Sequence, residues 1–229
     1  MNISQSSNRR RVIAAVSLIG LSVTFLSNLW LGLMTEPASP SQTVIAMVGF
    51  VAVLNAVLMT AAILGLSQLL RARADWAGLV GAAFTLTGWA TATRISALIQ
   101  IDSLFRAGVE GVPPSALEPA FKSAPVVWVS MFPVGLFFPL GLLTLGLALF
   151  WWRPVNRWFG LLLALGGVLF PLGRAAGIVP AVIACDIVLA AAFAAFGWQI
   201  LTRPQVWATT SSESETANEI SLREAEAGA

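Results

Sequence analysis

The 229-residue sequence contains no histidine and no tyrosine, and it has a single cysteine, Cys185. Without histidine, the chain cannot form a bis-histidine haem site, a histidine-ligated zinc site or a Ser-His-Asp triad. One cysteine excludes a disulfide within the chain and any metal site built from several cysteines. Charged residues are also scarce: they make up 10% of the sequence, whereas an average soluble protein has about 25%.

Hydrophobic residues are correspondingly abundant, at 57% of the chain, which predicts a polytopic, all-α membrane protein. The first apolar segment follows a basic start, as in a signal peptide. However, it is longer than the core of about 7–15 residues that signal peptides have, and no small-residue cleavage site follows it. We therefore interpret it as a retained helix.

Six segments are long and apolar enough to cross a membrane, which takes about 20 residues. They predict a bundle of six transmembrane helices within residues 1–203. Lysine and arginine are enriched on the cytoplasmic side of membrane proteins. With the N-terminus inside, eight of these residues lie on the cytoplasmic side and three on the outer side, so both termini should be cytoplasmic. The predicted spans are residues 12–34, 43–70, 76–105, 125–152, 158–179 and 181–201.

Two segments outside the spans have distinctive compositions. The outer connection at residues 106–124 contains Pro113 and Pro114, and we expect a short interfacial helix at 116–122. Residues 204–229 carry a net charge of −4, which leaves +6 on the rest of the chain. This acidic tail cannot bury enough apolar area to offset its chain entropy, so we expect it to be disordered in the cytoplasm. It is a candidate contact for a cytoplasmic partner, whereas no basic stripe suggests nucleic acid.

One helical hairpin resembles a known group of proteins. The stretch FFPLGLLTLGLALFWWRPVNRWFGLLLALGGVLFPLGR, residues 137–174, combines a Pro-Leu-Gly helix with a turn that contains proline and arginine. It resembles the hairpin between helices four and five of small bacterial six-helix membrane proteins classed as a domain of unknown function. Here Trp-Phe-Gly-Leu replaces the Leu-Gly start of the second helix. The resemblance implies a bacterial cytoplasmic (inner) membrane and no particular activity.

Ionisable residues within the spans are the first candidates for function, because each costs about 2.5–3.5 kcal/mol on membrane-insertion scales. Arg94, Arg174 and Asp186 all fall in the outer half of the predicted bundle. Arg174 and Asp186 lie at nearly equal depth across a short connection, so we predict an ion pair, with Arg94 within reach. Removing one partner of a buried pair should cost about 3–5 kcal/mol.

The third predicted span adds polar residues that share a sector of about 80°, among them Thr87, and these should face the bundle interior. Asn55 adds an amide from the second span. The candidate pocket therefore comprises Arg94, Asp186, Arg174, Asn55, Thr91 and Asp102.

Two functions fit this pattern, and neither is enzymatic or requires a cofactor. The first is binding or transport of a small ligand through a polar pocket in the outer half of the bundle. The second is a membrane scaffold or partner subunit in which the charges only fix the register of the helices. A water-accessible cavity around Arg94 would favour the first, and dry packing the second.

Overall fold

A computed structural model of the chain is helical, without strands, in the part that it describes. That part comprises residues 3–34, 42–107, 125–174, 176, 178–205 and 207; its side chains are described at 8–30, 47–71, 73–91, 135–174, 176, 178–205 and 207. The helices are α1 (Ile3–Met34), α2 (Gln42–Ala107), α3 (Pro125–Trp152), α4 (Arg157–Arg174) and α5 (Val179–Thr202).

α2 consists of two helices that meet at Ala74. This residue has φ −157° and ψ 57°, which is not a helical conformation. A Cβ atom on Gly78 would lie 2.9 Å from the carbonyl oxygen of Ser67, although the same stretch of straight helix would span about 16 Å. The chain therefore reverses direction at Ala74, between a first arm (residues 42–73) and a second arm (residues 75–107). Counting both arms, the described part contains six helices.

The helices pack antiparallel in chain order, and α5 returns to contact α1. Ala14 of α1 lies against Gly65 in the first arm of α2. Farther along α1, the rings of Phe25 and Phe193 of α5 stack with centroids 5.9 Å apart. Within the described residues, close helix contacts occur only between neighbours in this order. The helices thus form a closed ring.

Small residues bring the backbones of adjacent helices close together. A Cβ atom on Gly146 would lie 2.7 Å from the carbonyl oxygen of Gly160, and a Cβ atom on Gly160 would lie 2.6 Å from that of Gly146. Gly160 and Ala164 are buried at this contact between α3 and α4. Gly197 of α5 plays the same part against α1. Such contacts are typical of helices in membranes.

Among the described residues, four helices are long and apolar enough to span a membrane, over the segments Asn8–Trp30, Met47–Arg71, Gly135–Trp152 and Val179–Thr202. α4 is shorter, with 18 residues and an arginine at each end. Its outer face nevertheless exposes only apolar side chains along most of its length: Leu161, Leu165, Val168 and Leu172. Because apolar residues cover the outside of the ring as well as its core, the chain is a helical protein compatible with a membrane.

The antiparallel order collects eight arginines at one end of the bundle, which we call the arginine-rich end: Arg9, Arg10, Arg11, Arg71, Arg73, Arg153, Arg157 and Arg203. Two hydrogen bonds tie the helices together there. Nη1 of Arg73 donates to the carbonyl oxygen of Trp152 at 3.2 Å, and the backbone N–H of Asn156 donates to Oε1 of Gln199 at 3.3 Å. Exposed tryptophan rings surround this end at Trp76, Trp151, Trp158 and Trp198.

Several helix ends differ from the predicted spans. α1 begins nine residues before the predicted span, so the basic residues at 9–11 are helical. α4 ends at Arg174, five residues before the predicted end, and α5 begins two residues earlier than predicted. Pro180 explains this shift, because proline fits the first turn of a helix, where its missing N–H is not needed.

The predicted acidic tail begins as part of the bundle. Trp207 is only 6% exposed and belongs to the main hydrophobic core, so disorder does not begin at residue 204 as predicted. The large apolar area of an indole ring offsets the entropy of ordering this short segment. Residues 208–229 and the interfacial helix predicted at 116–122 lie outside the described residues.

Candidate functional site

Arg174 and Asp186 form an ion pair between α4 and α5. Nη2 of Arg174 donates to both carboxylate oxygens, at 2.9 Å to Oδ1 and 3.2 Å to Oδ2. The two side chains differ greatly in exposure, which is 3% for Asp186 and 45% for Arg174. The ion pair predicted from the sequence is confirmed, and it joins a buried acid to a half-exposed base.

Two close approaches between α4 and α5 position this pair. A Cβ atom on Gly173, the residue before Arg174, would lie 2.7 Å from the backbone nitrogen of Val182. Closer to the arginine-rich end, the buried thiol of Cys185 donates to the carbonyl oxygen of Gly166 at 3.5 Å. Because these two contacts hold α4 and α5 together on both sides of the pair, the guanidinium reaches the carboxylate directly.

Arg174 lies on the face of α4 that is turned toward the bundle. At about 100° per residue, position 174 falls on the same side of the helix as Gly160 and Gly167, which are buried. The exposed side chains of Leu161 and Leu172 lie on the opposite side. The exposed part of the guanidinium is therefore accessible at the end of the bundle, not along the apolar outer face of α4.

Exposure along α5 falls steadily toward the same pair. Val179 is 64% exposed, Val182 is half-buried, and Asp186 is 2% exposed as a whole residue. These three residues lie within a narrow sector of the helix, at spacings of three and four residues. The ion pair thus lies one to two turns of α5 inward from the end of the bundle that is opposite the arginine-rich end.

An aromatic series connects the guanidinium to two further helices. Cζ of Arg174 lies 5.2 Å from the ring centroid of Phe170, which precedes it by one turn of α4. Phe170 meets the ring of Phe138 on α3 edge-on at 4.7 Å, and Phe138 lies 5.1 Å from Trp89 in the second arm of α2. A cation over an aromatic face gains about 0.5–2 kcal/mol, so Phe170 holds one face of the guanidinium in place.

Of the other candidate residues, the two with described side chains, Asn55 and Thr91, make no hydrogen bond with Arg174 or Asp186. Asn55 is 1% exposed, and its Oδ1 has no hydrogen-bond partner among the described residues. Thr91 is half-buried and donates its hydroxyl to the carbonyl oxygen of Thr87 at 3.0 Å. The side chains of Arg94 and Asp102 lie outside the described residues, so their place in the pocket stays a prediction.

The polar face expected on the third span does not face the interior at Thr87. This residue is exposed, on the same side of the second arm as Trp76 and Leu79, whereas Thr85 is completely buried. The hydroxyls of Thr85 and Thr91 donate to carbonyl oxygens four residues earlier in their own helix. Threonine satisfies its hydrogen bonding in this way on either side of a helix, so it is a weak indicator of an inward face.

Sequence reasoning missed two residues that matter for the site and the fold. Phe170 was not selected, although its spacing of four residues from Arg174 is the signal for a contact on one helix. Gln199 is 7% exposed and binds the turn between α3 and α4 through Asn156. The signal in the sequence was an amide side chain near the end of a largely apolar helix.

The described residues contain no group of three or more metal-ligating side chains. The pair itself offers a guanidinium and a carboxylate. Comparisons with protein-family models, curated proteins and solved structures give no match for this chain.

Proposed function

We propose that the chain is a six-span protein of a bacterial cytoplasmic membrane with both termini inside. The arginine-rich end supports this orientation, because arginine is enriched on the cytoplasmic side of membrane proteins. The exposed tryptophans at the same end fit a membrane–water interface, where amphipathic rings are enriched. The end that carries the Arg174–Asp186 pair then faces outward.

Cysteine labelling in a Cys185→Ala background tests this orientation. A thiol at Gly111, in the predicted outer connection, should react with an impermeant reagent added to intact cells. A thiol at Ser211, in the predicted tail, should react only after the membrane is permeabilised. Reaction of Ser211→Cys in intact cells would reverse the topology.

For its activity, we propose non-enzymatic binding or transport of a small ligand at the outward end of the bundle. The observation that carries this proposal is the unequal exposure of the ion pair: a buried carboxylate fixes a guanidinium that is 45% exposed on the bundle-facing side of α4. A charged group held in place inside a bundle, and accessible only from its end, is what a polar ligand requires.

The second candidate is a scaffold or partner subunit in which the pair only fixes the register of α4 and α5. The close contact of Gly173 with the backbone at Val182 favours it, because that contact also sets the register of the two helices. The two candidates differ in whether water reaches the pair from outside.

Thiol accessibility distinguishes the candidates. In the Cys185→Ala background, Val182→Cys is expected to react with an impermeant thiol reagent added outside, because this position is half-buried and lies above Asp186. Ala190→Cys is the matched control, since Ala190 lies one turn beyond Asp186 on the same face and is 3% exposed. Absence of reaction at both positions would support the scaffold and contradict the pocket.

A further inference from the structure

We infer that Arg174 is an anion-binding residue, whose guanidinium holds the carboxylate or phosphate group of a small ligand at the outward end of the bundle. Asp186 is then a positioning residue that orients the guanidinium and does not itself contact the ligand. This inference rests on the proposed function, because it requires that water and solutes reach the pair.

The hydrogen bonds of Arg174 leave donors available. A guanidinium has five N–H donors on three nitrogen atoms. Here Nη2 alone serves both oxygens of Asp186, whereas Nε and Nη1 have no acceptor among the described residues. An arginine that only neutralised a buried acid would commonly pair two nitrogens with the two carboxylate oxygens. The observed geometry leaves two nitrogen atoms for a second acceptor.

The surroundings of the guanidinium direct this second acceptor to one side. The ring of Phe170 covers one face, and Asp186 occupies the Nη2 side. Since Arg174 lies on the bundle-facing side of α4 and is 45% exposed, the unoccupied donors are reached from the end of the bundle. Oxyanions bind arginine through its N–H edge, which is the part of the group that remains open.

Charge determines which kind of ligand is favoured. The acid of the pair is 3% exposed and the base 45%, so a solute that enters from the outward end meets positive charge first. A cation would have to pass the guanidinium before it reached the carboxylate, and like charges repel. The pair therefore selects an oxyanion, whether it belongs to a water-soluble acid or to a lipid headgroup.

Thermal unfolding of the purified full-length protein in phosphatidylcholine nanodiscs tests the inference, with acetate and inorganic phosphate as probes against chloride at constant ionic strength. A ligand that binds the folded state raises Tm. We expect at least one probe to give a saturable rise. A parallel set of nanodiscs with phosphatidylglycerol identifies a lipid headgroup as the source, if Tm rises there and neither soluble probe acts.

Three variants assign the effect to Arg174. Arg174→Lys should weaken the effective anion affinity about tenfold, because an ammonium lacks the planar fork of the guanidinium. Asp186→Asn should strengthen it about tenfold, because the competing negative charge is removed. Arg157→Lys is the matched control: Cζ of Arg157 lies 5.1 Å from the ring centroid of Trp158 at the other end of α4, and its replacement should leave the affinity unchanged.

The outcomes separate this inference from the proposed function. If Val182→Cys reacts from outside but no oxyanion source raises Tm, water reaches the pair as proposed, but Arg174 is not an anion-binding residue. If Asp186→Asn abolishes the effect, or Arg174→Lys leaves it unchanged, the assignment to Arg174 is overturned. If Val182→Cys does not react, both proposals are contradicted.

Discussion

The unequal exposure of the ion pair makes the two single substitutions unequal in cost. Arg174→Met keeps most of the alkyl stem but leaves the carboxylate of Asp186, which is 3% exposed, without its partner. Asp186→Ala leaves a guanidinium that is already 45% exposed and can remain hydrated. We therefore expect the arginine substitution to destabilise the protein far more than the aspartate substitution.

The magnitudes follow from known costs of breaking such pairs. An uncompensated buried charge costs about 3–5 kcal/mol, so Arg174→Met should lower the free energy of unfolding by about 4 kcal/mol. Asp186→Ala loses charge-assisted hydrogen bonding worth about 1.5–3 kcal/mol, but it also removes the desolvation penalty of the carboxylate. Its net cost should be about 1 kcal/mol, and the double variant should be similar. The coupling is then about 4 kcal/mol.

Unfolding in mixed micelles of increasing dodecyl sulfate content, followed by far-ultraviolet circular dichroism, measures these differences for all four proteins of the cycle. Arg157→Met is the matched control. This arginine is the first residue of α4, and its guanidinium lies over a ring, but it has no acidic partner in the described structure. Equal costs for the two single substitutions, or additivity in the double variant, would refute the reasoning.

Four further substitutions are checked with the same titration. Gly173→Ala should cost about 1–3 kcal/mol, because the added Cβ would lie 2.7 Å from the backbone of α5. Gly135→Ala is its control: no atom lies within 4 Å of the added Cβ, so this substitution should be neutral or should stabilise the helix by about 1 kcal/mol. Gln199→Leu should cost about 0.5–1.5 kcal/mol, because Asn156 loses its hydrogen-bond acceptor. Phe170→Leu should cost about 0.5–2 kcal/mol in wild-type protein and clearly less in the Arg174→Met background, since its contact with the guanidinium is already lost there.

The number of helices and the ion pair between Arg174 and Asp186 could be predicted from the sequence. Long apolar runs separated by charged or proline-containing turns define the helices, and Arg174 and Asp186 flank a short connection between two of them. What the sequence did not reveal was the asymmetry of the pair. From the sequence, both residues were expected to be buried charges, so the removal of either was expected to cost the same. In the structure, α4 ends at Arg174, and its side chain is 45% exposed.

Other features depend on tertiary contacts that no local pattern reports. The reversal between the second and third predicted spans was expected from the sequence, but its position at the single residue Ala74 was not, because residues that favour helix continue on both sides. Pro180 reads as a helix breaker but occupies the first turn of α5. The burial of Trp207 could not be foreseen either, because the composition of residues 204–229 as a whole indicates disorder.

The closed ring has a consequence for how the protein assembles. Contacts between chain neighbours are local and form quickly, so the hairpins from α1 to α5 can arise one after another during synthesis. The interface between α5 and α1 is the exception, because it joins the two ends of the sequence and closes last. We expect a chain that stops before α5 to form stable hairpins. The surface of α1 that α5 normally covers, at Ala15 and Phe25, would then be exposed and would be a target for membrane quality control. Pulse-chase degradation of such a truncation, with Gly197→Leu in the full chain to block closure, measures that final step; equal lifetimes of truncated, blocked and intact proteins would contradict it.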